Sequence, residues 1–294
     1  MTRAAYLGPE GSFSEDAARA HFGPQAELVP FGDIPAVVSA VTHRLVDAAV
    51  VPIENSIEGS VSVTLDELVH AAAPPRLPAA PTGSWAGIVA ELNLPVRHHL
   101  VARPGTTLSE IQRLVAHPQA LAQCRRWVQE HLPQVQVLPA LSNSAAVQSL
   151  VHSSAIAALG PERAARLYGM EIIARDVQDA ADNLTRFVVL AHDPAPPTGA
   201  DRTSICCSIA EDRPGSLLAI LREFADRGVN LTKVESRPTR GGLGKYFFLI
   251  DLEGHESDPL VAAALAGARD ASFDLRILGS YPAARPEPAS TSGS

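Results

Sequence analysis

The sequence predicts an α/β chain in two parts, and three observations predict it. Over residues 1–190 short apolar runs alternate with stretches of helical period, the pattern of a mostly parallel sheet. The Pro-rich run His192-Asp193-Pro194-Ala195-Pro196-Pro197-Thr198-Gly199-Ala200 has no hydrophobic period and suits a semi-rigid linker. Beyond it the order over 202–280 changes to strand-helix-strand-strand-helix-strand, the split βαβ arrangement of ferredoxin-like domains.

The elements follow in chain order. Ala4-Ala5-Tyr6-Leu7 is an apolar strand closed by Gly8-Pro9. A helix is expected over 14–22, with Ser14 as its N-cap and Glu15 and Asp16 in its first turn. Apolar residues at helical spacing place the next helix over 34–42, and the unbroken run at 48–52 reads as a buried strand. Gly59-Ser60 permits a turn before a helix over 63–71 that carries Thr64, Leu65 and Leu68. Strand-length apolar runs then occur at 87–94, 98–102, 134–139, 155–159, 171–174 and 185–190. Helical patterns occur at 108–116, 121–130, 144–151 and 161–168. After the linker, strands fall at 203–209, 230–238, 244–252 and 273–278, and helices at 215–227 and 259–268. Residues 281–294 are rich in Pro, Ala and Ser without apolar period and read as a disordered tail. Periodicity alone allows residues 1–190 to form one sheet or two smaller lobes.

Composition narrows the function. A chain of 294 residues holds roughly two domains. Its 24 Lys+Arg against 32 Asp+Glu give a net charge of −8, which argues against a duplex nucleic acid or an anionic membrane as partner. Small molecules become the default. The start lacks an apolar leader, and no apolar run approaches the ~18 residues of a membrane span, so a cytoplasmic location is expected. Of three cysteines, Cys206 and Cys207 are adjacent and point to opposite faces of a strand, which disfavours a disulfide and a metal site.

Six segments gather chemistry-bearing residues. Gly8-Pro9-Glu10-Gly11-Ser12-Phe13-Ser14-Glu15-Asp16 leaves a strand and opens a helix, whose N-terminus with nearby hydroxyls suits a carboxylate. An ordinary βα turn accounts for the same residues. Val50-Val51-Pro52-Ile53-Glu54-Asn55-Ser56 runs a buried strand into an acid, an amide and a hydroxyl, at the strand end where open α/β sheets place their chemistry. Glu54 reads there as an acid or as an anchor for another group, and Asn55 offers both donor and acceptor. Turn chemistry at a strand end is the plainer alternative. Ala116-His117-Pro118-Gln119 with Gln123-Cys124 puts His117 at the end of one helical pattern and Gln123 at the start of the next. Alone, His117 reads more readily as a helix-terminal histidine, and Cys124 as a packed small residue. Asn183-Leu184-Thr185-Arg186-Phe187 enters a strand through a hydroxyl and a guanidinium. Arg186 suits bidentate pairing with a carboxylate of ligand or protein. In the second part, Asp212-Arg213-Pro214-Gly215-Ser216-Leu217 turns into a helix and Glu235-Ser236-Arg237-Pro238 ends a strand. Together they offer a zwitterion free backbone groups, or merely punctuate the fold.

In order and spacing these segments, with Ala158-Leu159-Gly160, resemble prephenate dehydratase, the lyase that makes phenylpyruvate in phenylalanine biosynthesis, in its form with a C-terminal ACT domain. The resemblance covers residues 4–280 and rests most on the Asn-x-Thr-Arg-Phe and Glu-Ser-Arg-Pro elements. It implies an α/β fold with a two-lobed catalytic domain like a periplasmic binding protein, split into 1–75 with 178–190 and 76–177. A linker over 191–201 and a ferredoxin-like βαββαβ ACT domain over 202–280 follow. It further implies that Thr185, Glu54 and Asn55 are catalytic and that Ser12, Phe13, Ser14, Gln123 and Arg186 bind prephenate. Gly215, Ser216, Leu217, Glu235, Ser236, Arg237 and Pro238 are implied to bind L-phenylalanine as an effector. No cofactor and no metal are implied, because aromatising the substrate ring supplies the driving force. The apolar strand material at 206–209 and 246–250 adds the expectation of a homodimer or homotetramer.

The sequence departs from the family pattern at three places. Ala116 stands where a hydroxyl residue usually precedes His-Pro-Gln, Ser12 stands where Thr is common, and Ser142-Asn143-Ser144-Ala145-Ala146 matches a Thr/Ser-rich segment loosely. Arogenate dehydratase, whose substrate carries an amino group in place of the keto group, is an alternative, as is a non-catalytic amino-acid sensor. A fused chorismate mutase is not expected, because no long helical segment precedes Tyr6.

Overall fold

The computed structural model describes residues 1–71, 86–152, 155–209, 213–238 and 246–284. The chain divides into two compact units, one of residues 1–40, 46–64 and 93–187, the other of 41–45, 65–92 and 188–294.

In chain order the elements leading to the linker begin β1 (Arg3–Leu7), α1 (Phe13–Phe22), β2 (Glu27–Phe31), α2 (Ile34–Thr42), β3 (Ala48–Asn55), β4 (Gly59–Ser60) and α3 (Ser62–Ala71). They continue with β5 (Gly87–Pro95), β6 (His99–Ala102), β7 (Arg113–Ala116), α4 (Pro118–Gln123), α5 (Arg125–His131), β8 (Gln136–Pro139) and α6 (Asn143–Gln148). Then come β9 (Ile156–Gly160), α7 (Glu162–Leu167), β10 (Glu171–Ala174) and β11 (Leu184–Ala191). One sheet has the order β2-β1-β3-β11-β5, with β4 hairpinned onto β3. In it β1 lies parallel to both β2 and β3, Tyr6 standing opposite Pro30 and Val50.

A second sheet, β10-β6-β9-β7-β8, lies wholly within the first unit. Here β7 is parallel to β8 and β9, whereas β6 runs antiparallel to β9 and β10. Strand β9 is buried along its whole length and feeds two cores by alternation. Ala157 and Leu159 join Leu100, Leu114 and Cys124 on one face, while Ile156 and Ala158 join Val101, Val147 and Leu150 on the other. Gly160 is needed where α6 presses on β9, because a Cβ there would run into Val147 Cγ2.

The second unit contains β12 (Asp201–Ser208), α8 (Ser216–Ala225), β13 (Leu231–Pro238), β14 (Tyr246–Glu253), α9 (Pro259–Ala271) and β15 (Asp274–Pro282). Its antiparallel sheet has the order β13-β14-β12-β15, the ferredoxin-like arrangement expected of the βαββαβ order. The helices cover a core of Ile205, Ile220, Phe224, Ile250, Ala264 and Leu265. Asp66, Val69 and Glu91 belong to the same unit and meet its strands through polar bonds. Arg237 donates to Asp66, Arg276 Nη1 to the Val69 carbonyl at 3.2 Å, and Arg202 Nη1 to Glu91 at 2.9 Å. Among the described residues no helix is long and apolar enough to cross a membrane.

Several expectations are corrected. Residues 108–116 are not one helix: Leu108–Glu110 is a single 3-10 turn closed by a Thr107/Glu110 capping box, and Arg113–Ala116 is strand β7. Leu108, Ile111 and Val115 mimic a helical period, but pairing with β8 and β9 on both sides decides the backbone. The helix expected over 121–130 is two, broken at Cys124, after which the Asp179 carboxylate accepts from Arg126 and Trp127 amides. Strand β2 escapes sequence reading because Pro30 interrupts it, as only an edge strand tolerates. Strand β5 belongs to the first sheet rather than to the lobe expected over 76–177. The tail does not begin at 281: Tyr281 is fully buried in β15, and Ala283 and Ala284 amides donate to the Ala200 carbonyl and Glu91. The remaining expected tail, residues 285–294, and the start of the strand expected over 244–252 lie outside the described residues.

Candidate active site

Strands β3 and β11 bring the most informative residues together. The buried run Ala48–Val51 holds β3 in place and delivers Asn55 at its end, and Val188–Leu190 hold β11 behind Thr185. The Asn55 carbonyl oxygen accepts from the Ile57 and Glu58 backbone amides at 3.0 and 3.1 Å. That fixes the orientation of the side-chain amide, since backbone N–H groups can only donate. Its nitrogen therefore donates to Asn183 Oδ1 at 2.7 Å and to Thr185 Oγ1 at 3.0 Å. Thr185 is buried, and its oxygen is an acceptor towards Asn55, which leaves its proton for another acceptor.

The chain of bonds continues onto α4. Asn183, 1% exposed, donates to Gln123 Oε1 at 2.9 Å, and the same oxygen lies 3.0 Å from His98 Nε2. His98 thus carries its proton on Nε2, and its Nδ1 is buried without a partner among the described residues. Burial pushes the His98 imidazole down to about 4, with the bond to Gln123 opposing the shift. The ring stands edge-on to Phe13, centroids 5.7 Å apart. The other end of Gln123 donates to Glu58 Oε1 at 3.2 Å, and Gln119 donates to the same carboxylate. Glu58 lies between β3 and β4, so both glutamines of α4 tie the second sheet's helix to the first sheet's hairpin.

Other expected site residues are placed differently. Glu54 and Arg186 pair with each other at 3.6 Å. As neighbours of Asn55 and Thr185 on their strands, they point to the opposite face. Ser12, not Ser14, is the N-cap of α1: Ser12 Oγ accepts from the Glu15 amide at 3.3 Å and donates to the Leu7 carbonyl at 3.1 Å. Ser14 is buried inside the first turn. Gly11, at φ +78°, lets this loop approach α6 and α7, where a Cβ would meet Ser144 Oγ at 2.9 Å and Ala164 Cα at 3.0 Å. His117 follows strand β7 rather than a helix and caps α4 by accepting from the Gln119 amide at 3.3 Å. Burial pushes the Cys124 thiol up to about 12, which leaves it inert.

Three members of the cluster, His98, Asn183 and Glu58, carry no role in the sequence reading. Asn183 had a signal, lying two residues before Thr185 in one motif. His98 and Glu58 had none, since their partners are distant in sequence.

In the second unit, Gly215 adopts φ +91° at the start of α8, a left-handed conformation that favours glycine. Leu217 packs on the helix-covered core, whereas Leu218 is exposed. On edge strand β13 Glu235 lies within 3.4 Å of Lys233 and 3.5 Å of Arg237, and Arg237 in turn pairs with Asp66 at 3.0 Å. Ser236 and Pro238 are exposed.

Residues 4–195 match the family model described as prephenate dehydratase, and residues 208–270 match that of the ACT domain. A prephenate dehydratase of Mycolicibacterium vanbaalenii is 42% identical over 298 residues, covering 96% of this chain and 91% of the relative. The crystal structure of a prephenate dehydratase in complex with L-Phe, from Arthrobacter aurescens, aligns with a TM-score of 0.85 at 40% identity, over 96% of this chain and 90% of that one. A structure described as GqqA, a novel type of quorum quenching acylase, aligns with a TM-score of 0.81 at 30% identity, over 96% and 98% of the two chains. By motif order, fold and these likenesses the chain belongs to the prephenate dehydratase family, with a C-terminal ACT domain.

Proposed function

We propose that the protein converts prephenate to phenylpyruvate and that Thr185 supplies the hydrogen bond on which the departing hydroxyl leaves. The ring carboxylate of prephenate departs as carbon dioxide. Its bonding electrons complete the aromatic ring, the C–O bond breaks, and the oxygen takes a proton to leave as water. Hydroxide is a poor leaving group unless proton donation or a strong hydrogen bond assists it. The observation that carries the proposal is the direction of the Asn55–Thr185 bond: Asn55 donates, so the Thr185 proton is free for the substrate hydroxyl. Asn55 is in this reading a catalytic partner of Thr185, and Gln123 and His98 position it through Asn183.

The N-terminal amides of α1, with Ser12, Phe13 and Ser14, are the groups proposed to hold a carboxylate. Glu54 pairs with Arg186 at 3.6 Å, and the part proposed for this pair is to support the strands that carry Asn55 and Thr185. Steady-state assay of Thr185→Ala tests the proposal: kcat should fall by roughly 10²-fold or more, the scale of lost proton assistance, while Thr185→Ser retains more. Near wild-type turnover in Thr185→Ala would remove Thr185 from the mechanism.

The effector proposed is L-phenylalanine, held by Gly215, Ser216 and Leu217 with the Glu235–Pro238 strand. The solved relative that contains L-Phe supports this. The working form proposed is a cytoplasmic homodimer or homotetramer. Arogenate, differing from prephenate only in its amino group, is the rival substrate. Acylase chemistry has one observation in its favour, the 30% identity with GqqA. It calls for a nucleophile activated by a base, whereas the partner of Thr185 Oγ1 is an amide donor.

A further inference from the structure

A cavity of about 850 Å³ opens in the first unit on a wall that includes none of Asn55, Gln123, Asn183 and Thr185. Strands β1 and β2, helix α1, residues 94–99 and helix α7 line it. Its arginines are already matched: Arg19 with Glu15 at 2.7 Å, Arg163 with Asp16, Arg166 with Glu162 at 2.7 Å, and Arg97 with Asp176 at 3.2 Å.

Three groups on the wall keep a polar atom without a protein partner among the described residues: the Tyr6 hydroxyl, His99 Nε2 and the Glu10 carboxylate. Tyr6 lines the cavity and is 1% exposed, and no described residue bonds its hydroxyl. His99 is 4% exposed; its Nδ1 accepts from the Asp176 amide at 3.0 Å, so the proton sits on Nε2, which donates to no protein acceptor. Glu10 is exposed on the rim beside Tyr6. Burial, with Glu15 and Glu10 nearby, raises the Tyr6 hydroxyl pKa, and burial lowers that of His99, so both stay neutral donors. A hydroxyl and a ring N–H that face a cavity with no protein acceptor are ready to donate to acceptor oxygens of a ligand there.

The charge on the wall decides the class of ligand. The four arginines are matched by Glu15, Asp16, Glu162 and Asp176, which leaves Glu10 for a ligand cation and the two neutral donors for acceptor oxygens. A zwitterion uses both. We propose that this cavity binds an amphipathic α-amino acid, its carboxylate taken by Tyr6 and His99, its ammonium by Glu10, and its side chain by Leu28 and Leu94. The site belongs to the first unit, whereas Gly215 belongs to the second, and it is independent of the reaction assigned to Thr185.

Calorimetric titration of the full-length chain with L-leucine, L-methionine and L-tryptophan tests it. 4-Methylpentanoate and 3-methylbutylamine serve as leucine without its ammonium or without its carboxylate. At least one amino acid should bind saturably at millimolar concentration or below, and the half-ligands at least about tenfold more weakly. Tyr6→Phe and Glu10→Gln should each weaken the amino acid about fivefold or more. If Tyr6→Phe melts, Glu10→Gln, at an exposed position, still decides. The proposal is overturned if no amino acid binds, if a half-ligand binds as well as the whole, or if the variants leave affinity unchanged.

Discussion

At the scale of single residues, the direction of hydrogen bonds does more than their number. Two backbone amides on Asn55 Oδ1 dictate that its nitrogen faces Thr185, and this one constraint leaves the Thr185 proton for a substrate oxygen. Asn55→Asp would reverse the bond, because a carboxylate accepts the Thr185 proton. Turnover should then fall as far as in Thr185→Ala, roughly 10²-fold, with the variant still folded by circular dichroism. Retention of most activity would show that bond direction does not matter. His98 titrates near 4 in the fold against 6.5 in the unfolded chain, because burial disfavours the imidazolium. The unfolded chain therefore binds more protons between these values, so stability is full above pH 6.5 and declines as pH falls towards 4. The loss between pH 7 and pH 5 is roughly 2 kcal/mol. Urea unfolding of His98→Gln should show a smaller pH-dependent loss than wild type; equal losses would contradict the neutral, buried imidazole. Thr185, Asn55 and Gln123 were legible in the sequence because each sits in a compact motif. His98 and Glu58 were not, because their roles come from partners 25 and 65 residues away.

At the scale of elements, local pattern was read well where an apolar run is unbroken, as in interior strands β1, β3 and β9, and poorly where it is short or interrupted, as in β7 and in β2 with its Pro30. The βαββαβ order was legible because its helices and strands differ in length and period. Strand β7 was not: four residues between parallel neighbours offer no alternation long enough to outweigh the helical spacing around them. The N-cap of α1 moved from Ser14 to Ser12 because both hydroxyls satisfy the capping pattern, and the bond to the Glu15 amide chooses between them. Helix α8 starts at Gly215, whose left-handed φ of +91° no β-branched residue adopts without strain. No atom lies within 4 Å of a Cβ placed there, so Gly215→Val acts on the backbone alone and should re-form the helix start. The ratio of turnover without and with L-phenylalanine should drop towards one, and an unchanged ratio would remove Gly215 from effector binding.

At the scale of the whole molecule, the first unit carries the hydrogen-bonded chain from Thr185 to His98 and the second an ACT fold. Helix α3 and strand β5 complicate the boundary that the Pro-rich linker suggested, since residues 65–92 group with the ACT strands through Arg237–Asp66 and Arg202–Glu91. Composition shifts along the chain reveal linkers but not such long-range partners. The central claim is the reaction itself. Purified full-length protein incubated with prephenate at neutral pH, without added metal or cofactor, should release phenylpyruvate and carbon dioxide in equal amounts, and faster than it consumes arogenate. Prephenate left unconverted beyond its spontaneous decay, or arogenate consumed in preference to it, would contradict the account.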